Sequence, residues 1–341
     1  MGRALLVLLA AAFAVGAPAV KWEPQSSGVT ARFRGVSAVS DRIAWASGSR
    51  GTVVRTTDGG ATWQVRPVAG AEKLDFRDVD AMSDAVAYVL SIGSGETSRI
   101  YKTDDGGASW TLQFANTDPK VFLDAMTFAD PRHGYAFSDS VDGRFVVLST
   151  ANGGRSWNRI PAERLPPALD GEGAFAGSGT NIATDGGDRI WIGTTASRVL
   201  RSLDGGRTWT AVQTPLAHNA STGIFSVAFR DATHGVVVGG NYSKEAEAVD
   251  NVAFTADGGA TWTLVREHGL SGFRSAVAYV PGMKSTLVAV GPSGADLSQD
   301  GGRTWTAIEC AGFHAFSFAP RRAIGWGAGE GGRLSRFLYT P

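Results

Sequence analysis

The chain opens on one continuous apolar stretch and never repeats it. Residues 4–15 are all Ala, Leu, Val or Phe. Further on, apolar positions come in short groups separated by stretches rich in Gly, Asp, Ser and Thr. Short apolar groups bounded by turn residues predict β-strands rather than helices. With 45 Gly, 10 Trp and 17 Phe, the composition points the same way, towards an all-β chain with Gly-rich turns and regularly placed aromatics.

The polar punctuation is itself a repeat. Six octapeptides share the pattern Ser/Thr-x-Asp-Gly-Gly-x-Ser/Thr-Trp, with Asn in place of Asp in the third. Their acidic or amide residues are Asp58, Asp105, Asn152, Asp204, Asp257 and Asp300, and they end at Trp63, Trp110, Trp157, Trp209, Trp262 and Trp305. Successive tryptophans lie 47, 47, 52, 53 and 43 residues apart, and a period near ~45 residues is one four-stranded propeller blade. Each residue type has a mechanical use. The Asp or Asn accepts hydrogen bonds from backbone N–H groups after it and closes a tight turn. The paired glycines reach positive φ without a Cβ clash. The Trp carries a large apolar area between adjacent sheets.

A second repeat marks the start of each blade. Quartets beginning at Phe33, Phe76, Phe122, Phe225, Phe273 and Phe313 follow the previous octapeptide at short range, and Phe175 fills the fourth slot. That makes seven first strands for six octapeptides. Residues 313–320, 323–329 and 333–339 supply three strands of a last blade that then runs out of chain. Residues 20–24 are an orphan strand, and adding them to the last blade closes the ring and removes two open edges. The expected fold is therefore a single seven-bladed all-β propeller over residues 20–341. Six blades with a degenerate tail is the alternative.

The first apolar run now has a meaning. Arg3 precedes it, and Ala17-Pro18-Ala19 follows as a small-x-small cleavage site, so residues 1–19 read as a signal peptide and the protein as exported, to the periplasm or beyond. An uncleaved anchor is the alternative. Cys310 is the only cysteine, so no intramolecular disulfide can form, and it reads as a small buried residue. The 32 basic and 32 acidic residues balance, which removes any global charge argument for nucleic acid or an anionic membrane.

Four segments exceed a minimal blade: residues 91–99, 138–144, 163–180 and 239–251. The third places Asp170 and Glu172 where they could reach the channel mouth, or else it is a polar interblade loop. Arg34, Arg77 and Arg274 occupy equivalent places in three quartets, with His314 in a fourth. If they point inward they form a basic binding ring suited to carboxylates or phosphates. Alternatively they pair with Asp75, Asp78 or Asp124; strand alternation leaves their facing open. A glycoside hydrolase needs two carboxylates across a cleft, which Glu172 with Asp139 or Glu96 could supply. His133 and His234 recur as Asp-x-x-His-Gly and read as turn residues rather than metal ligands. No metal or other cofactor is expected, and the absence of Gly-x-Gly-x-x-Gly before a helix argues against dinucleotide binding.

The octapeptides resemble the Asp-box of bacterial neuraminidases, which in that family joins the third and fourth strands of a blade on the outer rim. The resemblance implies a structural role for them. The other sialidase features fail to match: Asn158-Arg-Ile-Pro161 follows the third box instead of preceding the first, and no Tyr–Glu pair is evident. The whole mature chain, with its boxes and its Asp-x-x-His-Gly strands, is more similar to the photosystem II stability and assembly factor family. That resemblance implies a non-catalytic propeller that binds a protein or peptide partner, in photosynthetic members a new membrane subunit, through an arginine-rich patch for which Arg34, Arg77 and Arg274 are candidates. A secreted hydrolase acting on a glycan is the competing reading.

Overall fold

The computed structural model describes residues 19–341; the expected leader falls almost wholly outside them. Seven four-stranded antiparallel sheets form the ring. Blade 1 runs Phe33–Ala38, Ala44–Gly48, Thr52–Thr56, Gln64–Val65. Blades 2 to 6 follow in the same order, and blade 7 takes Ala315–Phe318, Ile324–Ala328 and Arg333–Thr340 from the C-terminus. Its outermost strand is Ala19–Ser26, antiparallel to Arg333–Thr340 along its full length, from Ala19 opposite Thr340 to Ser26 opposite Arg333. Among the described residues the ring has seven blades closed by the strand Ala19–Ser26, and the six-blade alternative falls.

The apolar residues meet between blades. One cluster joins Phe33, Val54 and Trp63 of blade 1 to Ala315 and Trp326 of blade 7, and another joins Trp45 and Val53 of blade 1 to Phe76 and Val89 of blade 2. Each sheet is therefore covered on both faces by its neighbours, which is why its middle strands are apolar throughout.

Each octapeptide links a third strand to a fourth. In blade 1, Asp58 Oδ1 accepts from Thr62 N (2.9 Å) and the Thr56 hydroxyl (2.8 Å), and Oδ2 accepts from the Thr62 hydroxyl (2.6 Å). These bonds hold its carboxyl down at about 2. Both glycines of all six copies have positive φ, for example Gly59 at 79° and Gly60 at 88°. In three copies the first glycine's carbonyl also reaches the preceding blade: Tyr88 Oη donates to Gly153 O (2.9 Å), Tyr135 Oη to Gly205 O (3.2 Å) and Trp191 Nε1 to Gly258 O (3.0 Å). The octapeptide is thus a hairpin and an interblade fastener at once.

In an up-and-down sheet the connections alternate between two ends. The octapeptides share one end with the first-to-second-strand turns, as the bond from Gly59 N to Arg42 O shows (2.8 Å). His133 and His234 lie in such turns, with Nδ1 against Asp130 (2.8 Å) and Asp231 (3.0 Å). The second-to-third connections and the links between blades lie at the opposite end.

Three expectations need correction. Phe175 does not start the fourth blade: its first strand is Ile182–Thr184, only three residues long, and Phe175 lies in the insertion before it. The quartet alignment also slips in two blades. First strands of blades 1, 2, 3 and 5 each carry a register shift, which leaves Arg34, Arg77, Asp124 and Phe225 as the extra residue. The alignment instead puts Leu123 and Ser226 in that slot. Cys310 is half-buried rather than buried.

Candidate functional site

A β-bulge leaves one residue out of the ladder and turns its side chain away from the sheet's alternation. Here two of the four bulge residues are arginines on neighbouring blades, and a third, Phe225, sits across the channel from them. Arg34, Arg77 and Phe225 line a cavity of about 420 Å³ at the end of the channel opposite the octapeptides.

One wall is basic. Arg77 Nε pairs with Asp75 (2.9 Å) and Nη1 donates to Ala176 O (3.0 Å). Arg32 pairs with Glu330 at 2.8 Å. Arg34 is different: its one bond is Nη1 to Gly177 O at 3.4 Å, and its buried Nε has no partner among the described residues. Burial, and then the charges of Arg77 and Arg32, pull its pKa down to about 10. It stays cationic but poorly compensated. His314 completes this wall, with Nε2 3.0 Å from Glu330 Oε1. The lining holds three guanidinium groups against two carboxylates, Glu245 and Glu330.

The other wall is aromatic. Phe225 stacks on Phe175 with centroids 4.0 Å apart and planes 5° from parallel, and it meets Phe273 edge-on at 4.6 Å. Tyr242 caps the pair at 5.9 Å from Phe175 and is 47% exposed. An apolar wall facing one under-compensated guanidinium group, that of Arg34, suits a ligand that carries an anionic group beside an apolar one.

The remaining predicted site residues lie elsewhere. Arg274 does not join the ring. Its side chain is 2% exposed, and Nε is 2.6 Å from buried Asp296. The physical reason is position: blade 6 has no bulge in its first strand, Ala276–Tyr279, and Arg274 precedes it. Glu172 does not face a cleft either. Its fully buried carboxylate pairs with Arg198 and accepts from the Thr194 hydroxyl (2.6 Å) and Leu169 N (2.9 Å). Asp139 accepts from Ala174 N (3.1 Å), and burial raises its pKa. Both anchor the insertion at residues 163–180. Asp170 lines a separate depression with His218 and Asn219, while Phe175, Ala176 and Gly177 are what the insertion brings to the channel mouth. Glu96 sits on a short 3-10 turn and is not among the residues of this lining. Among the described residues, no three His, Cys, Asp or Glu side chains cluster as a metal site requires.

Sequence reasoning missed Arg32, Phe225, Tyr242, Phe273 and Glu330. Arg32 stands two residues before Arg34, just ahead of the strand Phe33–Ala38. Tyr242 and Glu245 lie in the over-long segment 239–251.

Residues 16–117, which span the closing strand and blades 1 and 2, match the family model of the photosynthesis system II assembly factor YCF48. Over these residues the sequence resembles that family. A structure described as YCF48 bound to D1 peptide superposes with a TM-score of 0.65 at 19% identity, covering 93% of this chain and 96% of that one. YCF48 from Cyanidioschyzon merolae gives 0.67 at 18%, over 93% and 98%. A GH74 xyloglucanase from Xanthomonas campestris gives 0.64 at 15%, over 93% of this chain but 53% of the enzyme. At these identities the structural likenesses establish the fold. No curated protein matches the chain.

Proposed function

We propose that this protein is an exported, non-catalytic propeller whose channel mouth binds a peptide segment of a partner protein. The observation that carries the reading is the two-walled cavity: Arg34 with an unpartnered Nε faces an aromatic cluster centred on Phe225. A peptide offers both halves of the complement, a carboxylate and a neighbouring apolar side chain. The D1 peptide held by the solved relative supports a peptide ligand, and a segment of a membrane protein is the finer form of this proposal. The hydrolase reading has no such observation, because Glu172 and Asp139 hold the insertion in place.

The test is an array of short acidic–aromatic peptides, followed by fluorescence anisotropy on the best binder. Arg34→Gln and Tyr242→Ala should each weaken it about tenfold, the scale of one charge-assisted hydrogen bond or one aromatic anchor, with the far-UV spectrum unchanged. Binding that ignores both substitutions, or turnover of a xyloglucan oligosaccharide, overturns the reading. Export rests on the apolar run at residues 4–15 and the Ala17-Pro18-Ala19 site. N-terminal sequencing of the protein from its host should find a mature start just after Ala19; an intact Met1 opposes cleavage and favours the uncleaved anchor.

A further inference from the structure

His314 is the one imidazole among the described residues that line the cavity. It comes from the link between blades 6 and 7, and its imidazole is buried. The ionised Glu330, from the second-to-third connection of blade 7, accepts at 3.0 Å, which places the ring hydrogen on Nε2. Nδ1 is then a bare lone pair, buried and without a partner among the described residues. The charges around it are Arg34 from blade 1, Arg32 from the link before it, and Glu330; Arg77 of blade 2 and Glu245 of blade 5 line the same cavity. A second proton on this ring meets two guanidinium groups and one carboxylate.

We propose that an anion entering this cavity is bound together with a proton, which His314 takes from solvent onto Nδ1. The idea rests on the anion-binding reading above. It needs no direct contact between anion and imidazole. An anion on Arg34 cancels the repulsion that disfavours imidazolium, and the new N–H bond adds a fourth positive group to the wall that holds the anion. Binding and protonation therefore strengthen each other, and by linkage each must favour the other equally.

The free protein starts from the right state. Burial, and then the charge of Arg34, pull the His314 pKa down to about 4, so the ring is neutral across the physiological range. Burial works against it, but the hydrogen bond from His314 and the charge of Arg32 hold Glu330 below its ordinary range, so its charge is constant over the same interval. The sign follows. The bound state holds more protons than the free state between the free and bound pKa values of His314, so affinity rises as pH falls through that window and levels off below about 4.

The probe is benzenesulfonate, whose own charge is constant at every pH used. Its affinity is measured by NMR titration at pH 5, 6.5 and 8, and the His314 ring signal is followed through a pH titration with and without it. Binding should tighten about tenfold between pH 8 and 5, the effect of roughly one proton linked over part of that range. The His314 midpoint should move up from about 4 when the probe is bound. The pH dependence should vanish in His314→Gln. If Arg34→Gln weakens the probe but wild-type affinity is the same at pH 5 and 8, with the His314 midpoint unmoved, proton coupling is wrong and the anion site stands. If the wild type fails to bind the probe at any of the three pH values, the anion site fails and the coupling falls with it. The ring titration is made on the wild-type protein, so the outcome does not depend on how well the variant folds.

Discussion

Arg34 and Arg274 follow phenylalanine in matching quartets, and their environments give them opposite roles. Arg34 protrudes at a bulge into a cavity and finds one long hydrogen bond. Arg274 is enclosed: Nε meets Asp296 Oδ2, Nη1 donates to Phe273 O at 2.8 Å, and Asp296 Oδ1 accepts from Ser271 N at 3.2 Å. A buried pair with satisfied neighbours adds little over an apolar pair of the same shape, but half of it is worse than none. Asp296→Ala should therefore destabilise by about 3–5 kcal/mol in urea unfolding, because it strands a buried guanidinium. Arg274→Met with Asp296→Leu should regain most of that loss. If Asp296→Ala changed stability no more than an exposed Asp→Ala, the pair would not be a structural anchor, and Arg274 would again be a candidate for the ring.

At the scale of elements, the first strands are stitched to one another by side chains that accept the next blade's backbone. Ser37 Oγ accepts from Ala81 N (3.1 Å), Ser226 Oγ from Val277 N (3.0 Å) and Ser317 Oγ from Ala38 N (3.1 Å). Between blades 2 and 3 the same job falls to carboxylates: Asp78 takes Met126 N (2.7 Å) and Asp80 takes Phe128 N (2.8 Å). Burial drives both upward, Asp78 well above its ordinary range and Asp80 to about 6. Elements of this kind mark the border of what the sequence discloses. The octapeptides were legible because their turn dictates residue types locally: an acceptor side chain, two glycines at positive φ and a terminal Trp. The facing of the first strands was not. A one-residue bulge reverses every later side chain, and nothing in Phe122-Leu-Asp-Ala125 distinguishes a strand that starts at Phe122 from one that starts at Leu123. Phe175 misled for a related reason. It has the composition of a strand marker, but its ring is stacked on Phe225 in the cavity wall, and the strand it was meant to start is three residues of Ile182–Thr184. The basic wall was half legible, since Arg34, Arg77 and His314 do meet at one cavity. The aromatic wall comes from three separate connections and a bulge, whose convergence depends on the ring being closed.

Ring closure is the property of the whole molecule on which the cavity depends, since blades 7 and 1 carry His314, Glu330, Arg32 and Arg34. The closing strand is tied on both sides. Trp22 stacks on Phe313 at 4.6 Å and meets Phe337 at 4.7 Å inside blade 7. Gln25 bridges to blade 1, where Nε2 donates to Gly59 O (2.9 Å) and Oε1 accepts from Trp63 Nε1 (3.1 Å), while Trp326 Nε1 of blade 7 donates to the same oxygen (3.2 Å). This replaces, at the one junction where the preceding blade's outer strand comes from the far end of the chain, the aromatic-to-glycine fastener used between other blades. A chain starting at Ser27 should therefore unfold at a lower temperature than one starting at Ala19 and should bind acidic–aromatic peptides more weakly. A synthetic peptide of residues 19–26 should restore both, because the open edge of Arg333–Thr340 presents the unpaired backbone groups that the strand satisfies. The same peptide with Trp22→Ala should restore neither, since the substitution removes the partly buried ring that packs on Phe313 and Phe337. Equal melting temperatures for the two chains would mean that blades 7 and 1 hold together without the strand, and that the cavity's basic wall does not depend on closure.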